Sequence, residues 1–246
     1  MTKPITAVAV MQLYEQGKFS LNDPVSKFVP ELADVKVWNE DGEPTAPKQV
    51  INMHHLLTHT AGFSYGFNPA DPVDKMYRGA NLFAAKDLTD FAEQLAKLPL
   101  RYEPGERWHY SVAVDITGLV VERISGMPFD EYLAANIFEP LGMEDTFFEV
   151  PTDKIDRFLP NHYWNRAENS LGTIDESQPQ ALARFTNDVT LFSGGAGLVS
   201  TAHDYMRFAE MLRNAGEYKG ARIIGPKTLK FMTQNHLPED RSQVGT

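Results

Sequence analysis

Apolar residues along this chain recur mainly at helical spacing and only rarely alternate. Residues 4–16 place Ile5, Val8, Ala9 and Leu13 on one face, with Pro4 suited to a first turn and Gly17 to a stop. Asn52 is positioned to cap a short helix through His59 that ends at Gly62. Leu88, Phe91, Ala92 and Leu95 mark another helix, closed by Pro99 just beyond. A longer one begins near Ser111, with Ala113, Ile116, Leu119 (or Val120) and Ile124 inward and Gly126 as its stop. Pro128 opens the next, striped by Phe129, Tyr132, Leu133 and Ile137. Thr201 and Asp204 fit a capping box ahead of Tyr205, Phe208, Ala209 and Leu212, with Gly216 behind. Residues 145–150 and 157–164, rich in Phe, Tyr and Trp, predict short strands forming a peripheral pair. Loops at 39–48 and 64–81 carry prolines and glycines and are predicted to be the flexible walls of a site.

Composition narrows the chemistry. The 246 residues contain no cysteine, which removes thiol nucleophiles and thiolate metal sites. The net charge of −10 lacks the basic footprint of a nucleic-acid partner and gains nothing from an anionic membrane surface. The most apolar run, Ser111–Ile124, is broken by Asp115, Glu122 and Arg123, so nothing approaches the roughly 20 apolar residues of a membrane span. A small or neutral substrate fits this balance best.

Two local patterns suggest chemistry and fail on context. Gly62-Phe63-Ser64-Tyr65-Gly66 matches the nucleophile elbow G-x-S-x-G, but that elbow needs a strand before the serine and a helix after it. Here a predicted helix precedes it and two X-Pro pairs follow, so Ser64 is expected only to decorate a loop. His55 and His59 stand four apart like a zinc pair, but position 56 is Leu where the metalloprotease helix carries Glu. They are expected to cap or pack, and no metal or other cofactor is expected.

A distributed pattern carries more. Met1-Thr2-Lys3-Pro4 enters the first helix, and Leu13 to Val25 follows as Leu-Tyr-Glu-Gln-Gly-Lys-Phe-Ser-Leu-Asn-Asp-Pro-Val. Then come His55 to Gly62, Tyr102-Glu103-Pro104-Gly105, Tyr110-Ser111-Val112, Ile137 to Met143, and Gly194-Gly195-Ala196-Gly197-Leu198. In this order and spacing the chain resembles the serine β-lactamase-like hydrolases, most nearly class C β-lactamases and family VIII carboxylesterases, from residue 1 to about 235. The resemblance implies an α+β, β-lactamase/transpeptidase-like fold, of which residues 1–246 are a partial domain: mainly the helical portion, with few sheet strands.

It also implies a site. The family's S-x-x-K sets serine and lysine one turn apart on a helix, and Met1-Thr2-Lys3 matches its last three positions. The nucleophilic serine is therefore expected one residue before Met1, and the family's Lys-Thr-Gly-like strand beyond residue 246. Lys3 is implied as proton acceptor and Tyr110 as the group passing protons among serine, leaving group and water. Ser111, Val112 and Gly195 are implied to line the substrate site. Val112 stands where β-lactamases commonly use Asn, which favours small esters over amides and β-lactams. The rival expectation is a catalytically dead truncated product or pseudoenzyme that at most binds ligand. The family occurs in cytoplasm and periplasm, and any signal peptide would precede Met1. With terminal strands expected elsewhere, the faces of Ile5, Val8, Ile116 and Leu119 are expected to be uncovered and to drive self-association.

Overall fold

The computed structural model describes residues 1–173 and 184–237. Nine α-helical segments run through the described residues: α1 (Thr2–Glu15), α2 (Met53–Leu57), α3 (Pro72–Ala80), α4 (Leu88–Leu95), α5 (Ala113–Ser125), α6 (Phe129–Leu133), α7 (Glu139–Leu141), α8 (Ala202–Arg213) and α9 (Pro226–Met232). The central pair is α1 on α5, and α2, α4 and α6 close around α5. A π-helical turn, Ala134–Phe138, joins α6 to α7.

The α1 helix is less one-sided than its sequence stripe. Thr6, Val10, Met11 and Gln12 are buried together with Ile5, Val8, Ala9 and Leu13. A helix covered nearly all round belongs to the middle of a domain rather than its surface. Ile5, Val8, Ile116 and Leu119 are each at most 1% exposed. The apolar face expected to lie open is therefore covered by the chain's own helices. Polar side chains on α1 are paired: Gln12 donates to the carbonyl of Ile223 at 2.8 Å, and Thr6 donates to the carbonyl of Gly194 at 2.8 Å.

Helix ends follow their local signals. Asn52 and His55 form a reciprocal capping box on α2. Gly126 ends α5 in the left-handed conformation. Only half of the expected capping box forms on α8: Thr201 accepts from the Asp204 amide at 3.1 Å. The Asp204 carboxylate turns away to the Asp145 amide at 2.7 Å. Residues 64–81 are not one loop, because Asp71 caps α3 and Pro72 occupies its first position. Asp-Pro there starts a helix instead of breaking one. The 39–48 loop is bridged at Thr45 to Val37 and contributes nothing to the cluster around Lys3.

The strands correct the sequence reading. Strand β1 (His162–Asn165) pairs antiparallel with β2 (Ser170–Thr173), and β3 (Glu217–Tyr218) with β4 (Ala221–Arg222). Only the end of 157–164 is a strand, because Thr152–Arg157 turns as a 3-10 helix. Its partner is local because Asn165 accepts from the amides of Ala167 and Glu168 and closes a tight turn. Among the described residues, 145–150 make one isolated bridge, Phe147 to Val199. No helix among the described residues is long and apolar enough to cross a membrane.

Candidate active site

Lys3 lies in the first turn of α1, half-buried, and its Nζ donates to the Gly195 carbonyl at 2.8 Å and to the Tyr65 hydroxyl at 3.1 Å. The same Nζ stands 4.7 Å from the centre of the Tyr110 ring and 5.2 Å from that of Tyr65. Residues 3, 65, 110 and 195 thus converge from four separate parts of the chain. With two N–H bonds fixed, the nitrogen keeps one further position on this side, a third N–H in the ammonium or a lone pair in the neutral amine.

Each partner is held by its own scaffold. The 108–112 segment is pinned to the end of α2, where the His109 amide donates to the His59 carbonyl at 2.8 Å. The Ser111 amide donates to His59 Nδ1 at 3.3 Å. His59 adopts a left-handed backbone (φ 53°), a conformation that costs a non-glycine residue roughly 1–2 kcal/mol and needs such anchoring. Burial, with Lys3 adding like-charge repulsion, pushes the His59 imidazole down to about 4. It is a neutral acceptor at neutral pH.

Beneath Lys3 sits Asp115, fully buried in the first turn of α5. Its carboxylate accepts from the Ser193 hydroxyl, from the Gly195 amide at 3.0 Å and from the Tyr65 hydroxyl at 3.3 Å. Burial raises Asp115 above the usual carboxylate range, and these donors oppose it. Burial and the neighbouring Asp115 also push the Tyr65 hydroxyl up, so it stays a neutral phenol. Gly195 has to be glycine: a Cβ there would run into the Asp115 carboxylate and stand 2.8 Å from the Tyr65 hydroxyl.

The residues read from sequence fall into two groups. Lys3, Tyr110 and Gly195 come together, with Gly195 acting through its backbone on Lys3 and Asp115. Ser111 and Val112 are fully buried at the start of α5, Ser111 with its hydroxyl 3.5 Å from His59 Nδ1. The sequence reading missed Tyr65, Asp115 and Ser193. Asp115 had a signal: it shares the inward face of Ile116 and Leu119, where an unpaired carboxylate would be costly.

Ser64 is not loop decoration. It is 1% exposed, donates to Asp74, accepts from the Gly66 amide at 3.0 Å, and lies 3.4 Å from His109 Nε2. His55 accepts from the Asn52 amide at 3.3 Å within the α2 cap. A cavity of about 390 Å³ lies elsewhere, between Phe147, Lys154, Phe158 and Thr201. Flanking the Lys3 cluster is an aromatic layer in which Phe67 and Phe83 stack on Tyr65 at 18° and 14°, and Trp108 on Tyr110 at 28°.

The family model described as Beta-lactamase matches residues 1–244. Esterase EstB of Burkholderia gladioli is 33% identical over 87% of this chain and 55% of its own length. Acyltransferase mokF of Monascus pilosus is 30% identical over 96% of the chain and 56% of its own. The solved structure of simvastatin synthase (LovD) from Aspergillus terreus superposes with a TM-score of 0.81 at 27% identity, covering 98% of this chain and 58% of that one. The chain spans 60% of the length of the first curated relatives it matches.

Proposed function

Because the chain belongs to the Beta-lactamase family, whose fold and serine-hydrolase homologues it shares, we propose that it serves the cleavage of small carboxylic esters through an acyl-enzyme. The observation that carries this reading is the convergence of Lys3 and Tyr110 from separate parts of the chain, with Lys3 Nζ 4.7 Å from the centre of the Tyr110 ring. A serine one position before Met1 would stand on the same helical face as Lys3, one turn away. Its hydroxyl oxygen attacks the ester carbonyl while its proton passes to the Lys3–Tyr110 pair. The pair returns that proton to the departing alkoxide, leaving an acyl-serine and a free alcohol. Water then attacks the acyl-serine and gives its proton to the same pair, which passes it to the departing serine oxygen as the acid is released. The esterase EstB among the relatives supports esters over β-lactams, whereas Val112, buried at the start of α5, faces no substrate.

The test places residues 1–246 in the coding frame of their gene, with whatever sequence flanks them there, and assays p-nitrophenyl butyrate beside a chromogenic cephalosporin. The butyrate is expected to be the better substrate. Tyr110→Phe keeps the ring and removes the hydroxyl, and is expected to lower kcat by about 10² or more, as loss of a general acid–base group does. Lys3→Ala is expected to cost at least as much. Ser64→Ala is expected to change kcat by less than about threefold, since that buried hydroxyl touches no substrate. A dead Ser64→Ala beside an active Tyr110→Phe overturns the assignment.

A further inference from the structure

Lys3 has a long, flexible side chain whose ordering costs up to about 2 kcal/mol of rotamer entropy, so its fixed position needs a cause. Its two hydrogen-bond partners differ in kind. The Gly195 carbonyl is backbone; the Tyr65 hydroxyl is a side chain that could point elsewhere. Asp115 controls both, since one carboxylate receives the Tyr65 hydroxyl and the Gly195 amide. That carboxylate is completely buried on α5, the helix against which α1 packs. A buried carboxylate holding the acceptors of a nearby amine sets both the amine's position and its local field.

We propose that Tyr65 and Asp115 are positioning residues for Lys3, Tyr65 holding the amine directly and Asp115 holding it through Tyr65 and the Gly195 turn. The assignment rests on the reading of Lys3 as a proton-handling group, but its geometry can be tested without turnover. With its hydrogen to Asp115, Tyr65 presents an oxygen lone pair to Lys3; this direction is fixed because the carboxylate can only accept. Replacing the hydroxyl leaves the ring stack on Phe67 and Phe83 in place and removes only this link.

The experiment is competitive acetylation of the folded 246-residue chain with isotopically labelled acetic anhydride at fixed pH, read residue by residue by mass spectrometry. Exposed Lys75 serves as the internal reference. Tyr65→Phe is expected to raise the Lys3 rate relative to Lys75 by about three- to tenfold, the scale of one ordinary hydrogen bond. Asp115→Asn is expected to raise it at least as much. The double variant is expected to match Asp115→Asn alone, because the two act in one chain of bonds. A merely structural role would speed every lysine together or leave Lys3 unchanged, and either result overturns the proposal. If Asp115→Asn does not fold, Tyr65→Phe decides alone. In the turnover assay Tyr65→Phe is expected to lower kcat about tenfold with KM within about twofold. A selective rise in Lys3 acetylation together with an ester activity indifferent to Lys3→Ala would uphold the positioning and refute the hydrolase reading. Unaltered acetylation with activity dependent on Lys3 would do the reverse.

Discussion

Two polar clusters lie on either side of the 64–67 segment, and they use similar ingredients to opposite ends. Around Ser64, a serine, an aspartate and a histidine come within hydrogen-bond reach, which on paper is a catalytic set. The aspartate, however, is bonded to the serine and not to the histidine, and the serine is 1% exposed. Asp74 also accepts from the Asn68 amide at 2.7 Å, so the cluster ties both ends of a loop. Around Lys3, the buried carboxylate holds other side chains, and the half-buried amine keeps a position to spare beside an aromatic layer. What separates a knot from a site is whether one reactive group keeps an unspent valence facing an accessible side.

The comparison predicts a division of effects: the Ser64 cluster should govern stability, the Lys3 cluster chemistry. The largest stability loss is expected from Asp74→Ala. It leaves the Ser64 hydroxyl and the Asn68 amide without their acceptor, at about 3 kcal/mol in a urea titration. Lys3→Ala should cost less than about 1 kcal/mol in the same titration, since its side chain is half-buried and its partners can turn to each other or to water. A reversal of this order would remove the distinction.

A smaller effect sharpens the boundary between the clusters, where His59 sits. Its folded-state value of about 4 lies below the ordinary 6.5, so in that window the unfolded chain binds more protons than the folded one. Stability from this group is complete above pH 6.5 and is lost as pH falls through 4, by about 3 kcal/mol. His59→Asn, in which Asn tolerates the left-handed backbone, should flatten the acid limb of the urea midpoint plotted against pH. An unchanged acid limb would show that His59 is not held neutral by burial.

A modest effect is expected of Ser64→Ala, about 1 kcal/mol, because Asp74 keeps the Asn68 amide while only the Gly66 amide and one hydroxyl bond are lost. Near-wild-type activity with this modest destabilisation is the signature of a knot. A larger loss of turnover than of stability would move Ser64 into the site.

The helices, their caps and their glycine stops were legible in the sequence because they rest on contacts three or four residues apart. Asn52, Gly126 and Thr201 act as their neighbours dictate. The ordered motifs likewise singled out Lys3 and Tyr110, which the fold sets side by side. Other features depended on which surfaces meet. A stripe of four apolar positions could not show that α1 is covered on all sides, and an Asp-Pro pair could not show that it opens a helix. The Lys3 contacts join residues 62 and 192 positions apart, and Asp115 reaches Tyr65 and Gly195 across 50 and 80. No local propensity encodes such pairs. They form because packing α1 on α5 buries a carboxylate that must find donors, and the chain segments able to supply them are brought there by the rest of the core.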